Sequence, residues 1–118
     1  MPVNLHTVKP YIPAQDFERS KGFYLALGFT PSEGWGGTAD FEMDGQHFRL
    51  QDYYVKDWAE NCMLVVAVSD LDAWYLRARE VVSSGQYAPA RLTPPEPVDD
   101  ARVLHLWDPS GVLWVFVQ

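Results

Sequence analysis

The chain has a single cysteine, Cys62, among 118 residues. It can close no intrachain disulfide, so a stapled secreted scaffold is excluded. Its place at the head of an apolar run makes it a small buried hydrophobe. Basic residues are also scarce: nine Lys and Arg stand against sixteen Asp and Glu, for a net charge of −7. They are scattered, whereas a phosphate-binding surface needs them clustered, so no nucleic acid partner is expected. No apolar stretch reaches membrane-spanning length, and the opening MPVNLHTV shows no charged segment leading into an apolar one. These absences describe a soluble, cytoplasmic protein without a membrane partner. Eight glycines and nine prolines exclude a collagen-like or linker composition.

The usual catalytic signatures are missing too. Gly34 and Gly36-Gly37 do not open a helix, so no glycine-rich phosphate loop is present. There is no nucleophile elbow. Cys62 has no cationic neighbour in sequence to lower its pKa. His6, His47 and His105 show no ligand spacing, and Asp99-Asp100 reads as solvated loop charge.

What is present is 47% hydrophobic residues, enough for the core of one domain over 1–118. Residues 7–14 read as extended, with Pro10 and Pro13 placing them at an edge. Asp16 caps a helix whose apolar positions Phe17, Phe23, Tyr24 and Leu27 keep helical spacing, and Gly28 ends it. Strands follow over 29–33, 38–43 and 46–54, the last two joined by an Asp44-Gly45 hairpin. Residues 55–61 read as a connection. The unbroken apolar run 62–68 predicts a central strand. Asp70 caps a second helix with the stripe Leu71, Trp74, Tyr75, Ala78, Val81 and Val82, ended by Gly85. Residues 86–92 form a strand, 93–100 a proline-rich surface loop, and 102–107 and 112–117 two strands joined by the turn Asp108–Gly111.

The order is therefore βαβββ twice over, about 5–58 and about 61–118, with cap residues Asp16 and Asp70 54 positions apart. Each half is too small to bury a sheet face alone, so the two must pair.

The runs Asp16-Phe17-Glu18-Arg19-Ser20 with Phe23-Tyr24 and Leu27-Gly28-Phe29, then Val68–Ala73, then Asp108-Pro109-Ser110-Gly111, resemble the glyoxalase / bleomycin-resistance / extradiol-dioxygenase (vicinal oxygen chelate) superfamily. The resemblance implies an α+β fold of two paired βαβββ modules, forming a curved mixed sheet around a cleft with helices outside, usually in a homodimer. Metal enzymes of that superfamily carry His or Glu ligands on four strands. The corresponding positions here fall at Lys9, Met63 and Val115, with the fourth near Leu50 or Gln51. Protonated Lys, thioether and aliphatic side chains do not make a hard divalent site, so no metal and no cofactor are expected.

Without a metal the cleft remains, as in the bleomycin-resistance branch, which sequesters a drug. The reading is a metal-free binding protein for a small organic molecule, aromatic or cationic in view of five Trp, six Tyr, six Phe and the acidic charge. Lys9, Arg49 and Gln51 would supply polar contacts; Tyr11, Tyr53 and Trp107 would supply surface. Arg102 matches an arginine often seen in that branch, although the Trp-Gly pair that frequently precedes it is replaced by Asp99-Asp100-Ala101. One rival is a metal-dependent lyase, isomerase or dioxygenase in which Asp52, Glu42 or His105 converge through a one-residue register slip. A second is a non-catalytic module whose cleft is filled by its own side chains.

Overall fold

The computed structural model describes residues 2–118. Near the N-terminus a short strand, β1 (Tyr11–Pro13), leads into helix α1 (Phe17–Leu27). The Asp16 carboxylate accepts the Arg19 N–H at 3.1 Å, satisfying one of the orphan donors of the first turn. Gly28, at φ +106°, turns the chain into a left-handed cap, and its N–H and that of Phe29 close onto Leu25 and Tyr24 carbonyls. Strands β2 (Thr30–Glu33), β3 (Ala39–Met43) and β4 (Gln46–Gln51) complete the first module. Asp44 and Gly45 both take positive φ, the tight two-residue turn that a hairpin with native twist needs.

The second module repeats the plan with β5 (Met63–Ala67), α3 (Leu71–Ser83), β6 (Arg91–Leu92), β7 (Glu96–Val98), β8 (Ala101–Trp107) and β9 (Leu113–Val117). Asp70 caps α3 through the Ala73 N–H at 3.0 Å. The first sheet runs β1-β4-β3-β2; the second runs β5-β9-β8-β6, with β7 also on β8. In each module the first strand lies parallel to the last, at the sheet edge.

Each main helix covers one face of its sheet, and α1 meets α3. A common core results, in which Ile12, Phe23, Tyr24, Phe48, Leu104 and Phe116 are all buried. Its polar centre joins the modules. The Tyr24 hydroxyl donates to Asp108 at 2.7 Å and accepts from Trp114 Nε1 at 2.9 Å. The other Asp108 oxygen accepts the N–H groups of Ser110 and Val112. Burial pushes the Asp108 carboxyl up to about 6, against these hydrogen bonds, which pull it down.

Three expectations are corrected. The connection 55–61 contains a short helix, α2 (Lys56–Asn61), which buries Ala59. The apolar run at 62–68 is an edge strand: β5 has a partner only in β9, and Met63 and Val65 are 61% and 68% exposed. Its continuous apolarity serves the core on one side, through half-buried Leu64 and Val66, and an uncovered face on the other. The segment 93–100 is not all loop, since Glu96–Val98 pairs with β8 as β7, and the strand at 86–92 shrinks to Arg91–Leu92. Pro94 and Pro95 lack the N–H that a continuous ladder would need, so one strand becomes two pieces. Among the described residues no helix is long and apolar enough to cross a membrane.

Candidate functional site

The sheet faces turned away from the helices are open, and they carry five of the seven expected site residues: Lys9, Tyr11, Arg49, Gln51 and Trp107. On the first sheet, strand alternation sends Phe48 and Leu50 into the core and His47, Arg49 and Gln51 to the open side. Parallel pairing sets Tyr11 beside Arg49 and Pro13 beside Gln51. The hairpin sets Asp40 opposite Arg49.

Asp40 organises this face. Its carboxylate is only 6% exposed and accepts a bidentate pair from Arg49, Nε at 2.6 Å and Nη2 at 3.0 Å. Lys9 Nζ adds a third bond at 2.8 Å. Arg49 also donates to the Tyr11 hydroxyl at 3.2 Å and lies over the Tyr11 ring. The Arg49 bonds, then Lys9, hold the Asp40 carboxyl down to about 2 in spite of its burial. The same bonds raise Arg49 above its ordinary value. Lys9, Tyr11 and Arg49 thus come together around a carboxylate that sequence reasoning did not select. The signal was there: a two-residue hairpin at Asp44-Gly45 pairs residue 40 with residue 49.

On the second sheet the open face is built in rows. Met63, Leu113, Trp107 and Arg91 stand side by side across four strands, and Val65, Val115 and His105 form the next row. The Arg91 guanidinium lies 3.6 Å from the centre of the Trp107 ring, and His105 stacks on Trp107 at 5.8 Å and 22°. Arg91 was not anticipated as a site residue, because the prolines around 89–97 blur every periodic pattern there, and His105 entered only as a metal ligand of the rival enzyme reading. Trp114, of opposite parity to Val115, lies in the core.

The remaining expected residues lie apart. Tyr53, just past β4, is exposed and rests against Trp58 at 6.4 Å. Arg102 has the parity of Leu104 and Leu106 on the α3 side, where it makes a bidentate pair with Asp72 at 2.8 and 3.2 Å. Structure does not bring Arg102 together with Trp107.

The positions that carry metal ligands in the superfamily do not fit a divalent ion. Lys9 is committed to Asp40, Met63 and Val115 offer no hard donor, and Leu50 faces the core, leaving Gln51 as the fourth. Glu42 is occupied by the Gly45 N–H at 3.0 Å. Among the described residues no three His, Cys, Asp or Glu side chains converge.

Two cavities adjoin these faces. A groove of about 1510 Å³ lies between residues 5–10, the Asp44-Gly45 hairpin, β5 and the first turns of α3, and none of the expected site residues line it. A smaller cavity of about 430 Å³ opens beside Arg91 and Trp107, bordered by Glu60, Pro89, Asp108 and Gly111.

A family model described as Glyoxalase/Bleomycin resistance protein/Dioxygenase superfamily matches residues 5–116. Among curated proteins, none matches this sequence. Solved structures with the same fold include a bleomycin-binding protein from bleomycin-producing Streptomyces verticillus, in complex with copper(II)-bleomycin. Its TM-score is 0.78 at 20% identity, covering 98% of this chain and 97% of that one. A bleomycin resistance determinant encoded on the transposon Tn5 has a TM-score of 0.77 at 21% identity, covering 97% and 98%. An antibiotic-binding protein from Streptomyces sp. CB03234 has a TM-score of 0.74 at 20% identity, covering 98% and 97%. At these identities the likeness is one of fold.

Proposed function

We propose, since the chain belongs to the Glyoxalase/Bleomycin resistance protein/Dioxygenase superfamily, that it is a binding protein which holds a small organic molecule against its open sheet faces and changes no bond in it. The observation that carries this reading is the pairing of two uncovered walls in one chain. One is polar and organised on Asp40; the other is apolar and carries the Arg91–Trp107–His105 stack. The donor set at the superfamily's metal positions supports sequestration over metal chemistry. The fold likeness to proteins named for binding bleomycin or another antibiotic supports the same reading.

A second copy of the chain completes the cleft. β1 and β5 each end a sheet with an unpaired edge, and Val3, Leu5 and Val8 on the adjoining arm are exposed. Joining such edges between two copies lays a polar wall beside an apolar one.

The test uses protein stripped of metal by a chelator. A bound organic ligand at a hundred times its Kd adds about 2.7 kcal/mol, a rise in Tm of roughly 10 °C for a domain of this size. The panel contains metal-free bleomycin and neutral, cationic and anionic aromatic compounds. Stabilisation by any of them without added metal is the expected result, with sedimentation at twice the 13.5 kDa of one chain. Stabilisation that needs a divalent ion, or by no compound at all, overturns the reading.

A further inference from the structure

We propose that the ligand of this cleft is an organic anion, whose planar aromatic body lies on the apolar row of the second sheet and whose carboxylate meets Arg91. The inference rests on the binding reading above and narrows its ligand. Net charge alone, at −7, points the other way, toward a cation. The charge beside the apolar row has the opposite sign. On the first sheet Lys9 and Arg49 are balanced by Asp40 and by Glu42, which shares its face of β3, so the unbalanced cation stands on the second sheet.

Arg91 is that cation. Among the described residues it makes no salt bridge, and its guanidinium carbon stacks 3.6 Å from the centre of the Trp107 ring. Stacking uses the face of a guanidinium and leaves its N–H edge free, which suits bidentate capture of a planar oxyanion. The two carboxyls bordering the adjacent cavity of about 430 Å³ are already engaged. Glu60 lies 3.6 Å from Lys56, and Asp108 is buried under the Tyr24 hydroxyl and two backbone N–H groups. Glu96 pairs opposite Val103, four residues along β8 and about 13 Å away at ordinary strand rise.

The row itself sets the size of the ligand. Met63, Leu113, Trp107 and Arg91 are adjacent across four strands, so they span about 14 Å at ordinary strand spacing. A bicyclic ring with one acidic group fits that length, with the ring over Met63 and Leu113 and the acid at Arg91.

Three probes with one ring system separate charge from shape: 2-naphthoate, 2-naphthamide and 2-naphthylmethylammonium. Binding to the full chain is followed by calorimetry. Naphthoate is expected to bind about tenfold or more tightly than the ammonium. Arg91→Gln removes that preference while leaving naphthamide within about twofold, and Arg91→Lys restores only part of it, because an ammonium offers no planar fork. The Arg91 side chain is exposed and donates no hydrogen bond within the described residues, so each variant loses at most its stacking on Trp107 and should melt cooperatively within about 4 °C of the parent. Equal or tighter binding of the ammonium, or naphthoate binding indifferent to Arg91→Gln, overturns the anion inference while the binding reading stands. If none of the three probes binds, the anion inference falls, and the binding reading is decided by the wider panel that includes metal-free bleomycin.

Discussion

Asp40 and Asp108 are two carboxyls in one small chain, shifted in opposite directions by opposite causes. Arg49 and Lys9 hold Asp40 down to about 2, below its ordinary 3.8. Its contribution to stability is therefore full above about pH 4 and is lost as pH falls through 2. Burial lifts Asp108 to about 6 from the same ordinary value. The folded state binds that proton more tightly than the unfolded one, so its contribution is full below about pH 4 and is lost as pH rises through 6. In urea unfolding at closely spaced pH values, Asp40→Asn should flatten the limb between about 2 and 4 and leave the limb between about 4 and 6 unchanged. An unaltered acid limb would show that the Lys9–Asp40–Arg49 group does not hold its charge in solution. At this scale the sequence was only half legible. Lys9 and Arg49 stood out as polar groups and Tyr11 as ligand surface, but the carboxylate that binds both cations emerges only when the hairpin register is applied. Arg91 gives no such signal, because a two-residue strand has no period to read.

Helix ends were the most legible elements, because caps are local chemistry. Asp16, Gly28 and Asp70 each do in the structure what their residue types imply. Gly28 is also the most exacting of them. Its φ is +106°, and a Cβ there would stand 2.9 Å from Arg77 Nη1, whose side chain reaches the Leu27 carbonyl. Gly28→Ala should cost about 1–2 kcal/mol, read as a lower urea midpoint at unchanged slope. Edges were the least legible. An apolar run of seven residues looks the same whether its second face meets another sheet or lies open, so β5 reads as central from sequence and is peripheral in the fold. The six-residue helix α2 is too short for an amphipathic period to declare itself. The same shortness hides β6 and β7, since prolines cut what sequence presents as a loop into two paired pieces.

At the scale of the molecule, the duplicated order βαβββ and the need for the halves to share a core follow from sequence, and the structure shows how they share it. Tyr24 of the first module is satisfied only by Asp108 and Trp114 of the second. The Gln15 N–H and the Ser20 hydroxyl similarly reach Ser110. A fragment of residues 1–61 would leave Tyr24 without its partners and expose Phe48 and Leu27, so it should show no cooperative thermal transition by circular dichroism. A sharp melt of that fragment would mean that the modules are independent.

These bonds join residues 84 to 95 positions apart. Such separation has a consequence in time. A chain made from its N-terminus completes α1 long before it completes the turn at Asp108–Gly111, so the first module waits, with its polar core groups unpaired, for the last strand to arrive. Folding of the first module is then gated by the synthesis of β9. The interval before that strand appears is when the apolar faces of the first sheet are most open to the wrong neighbour, and a slow stretch of translation before the Asp108–Gly111 turn would lengthen it.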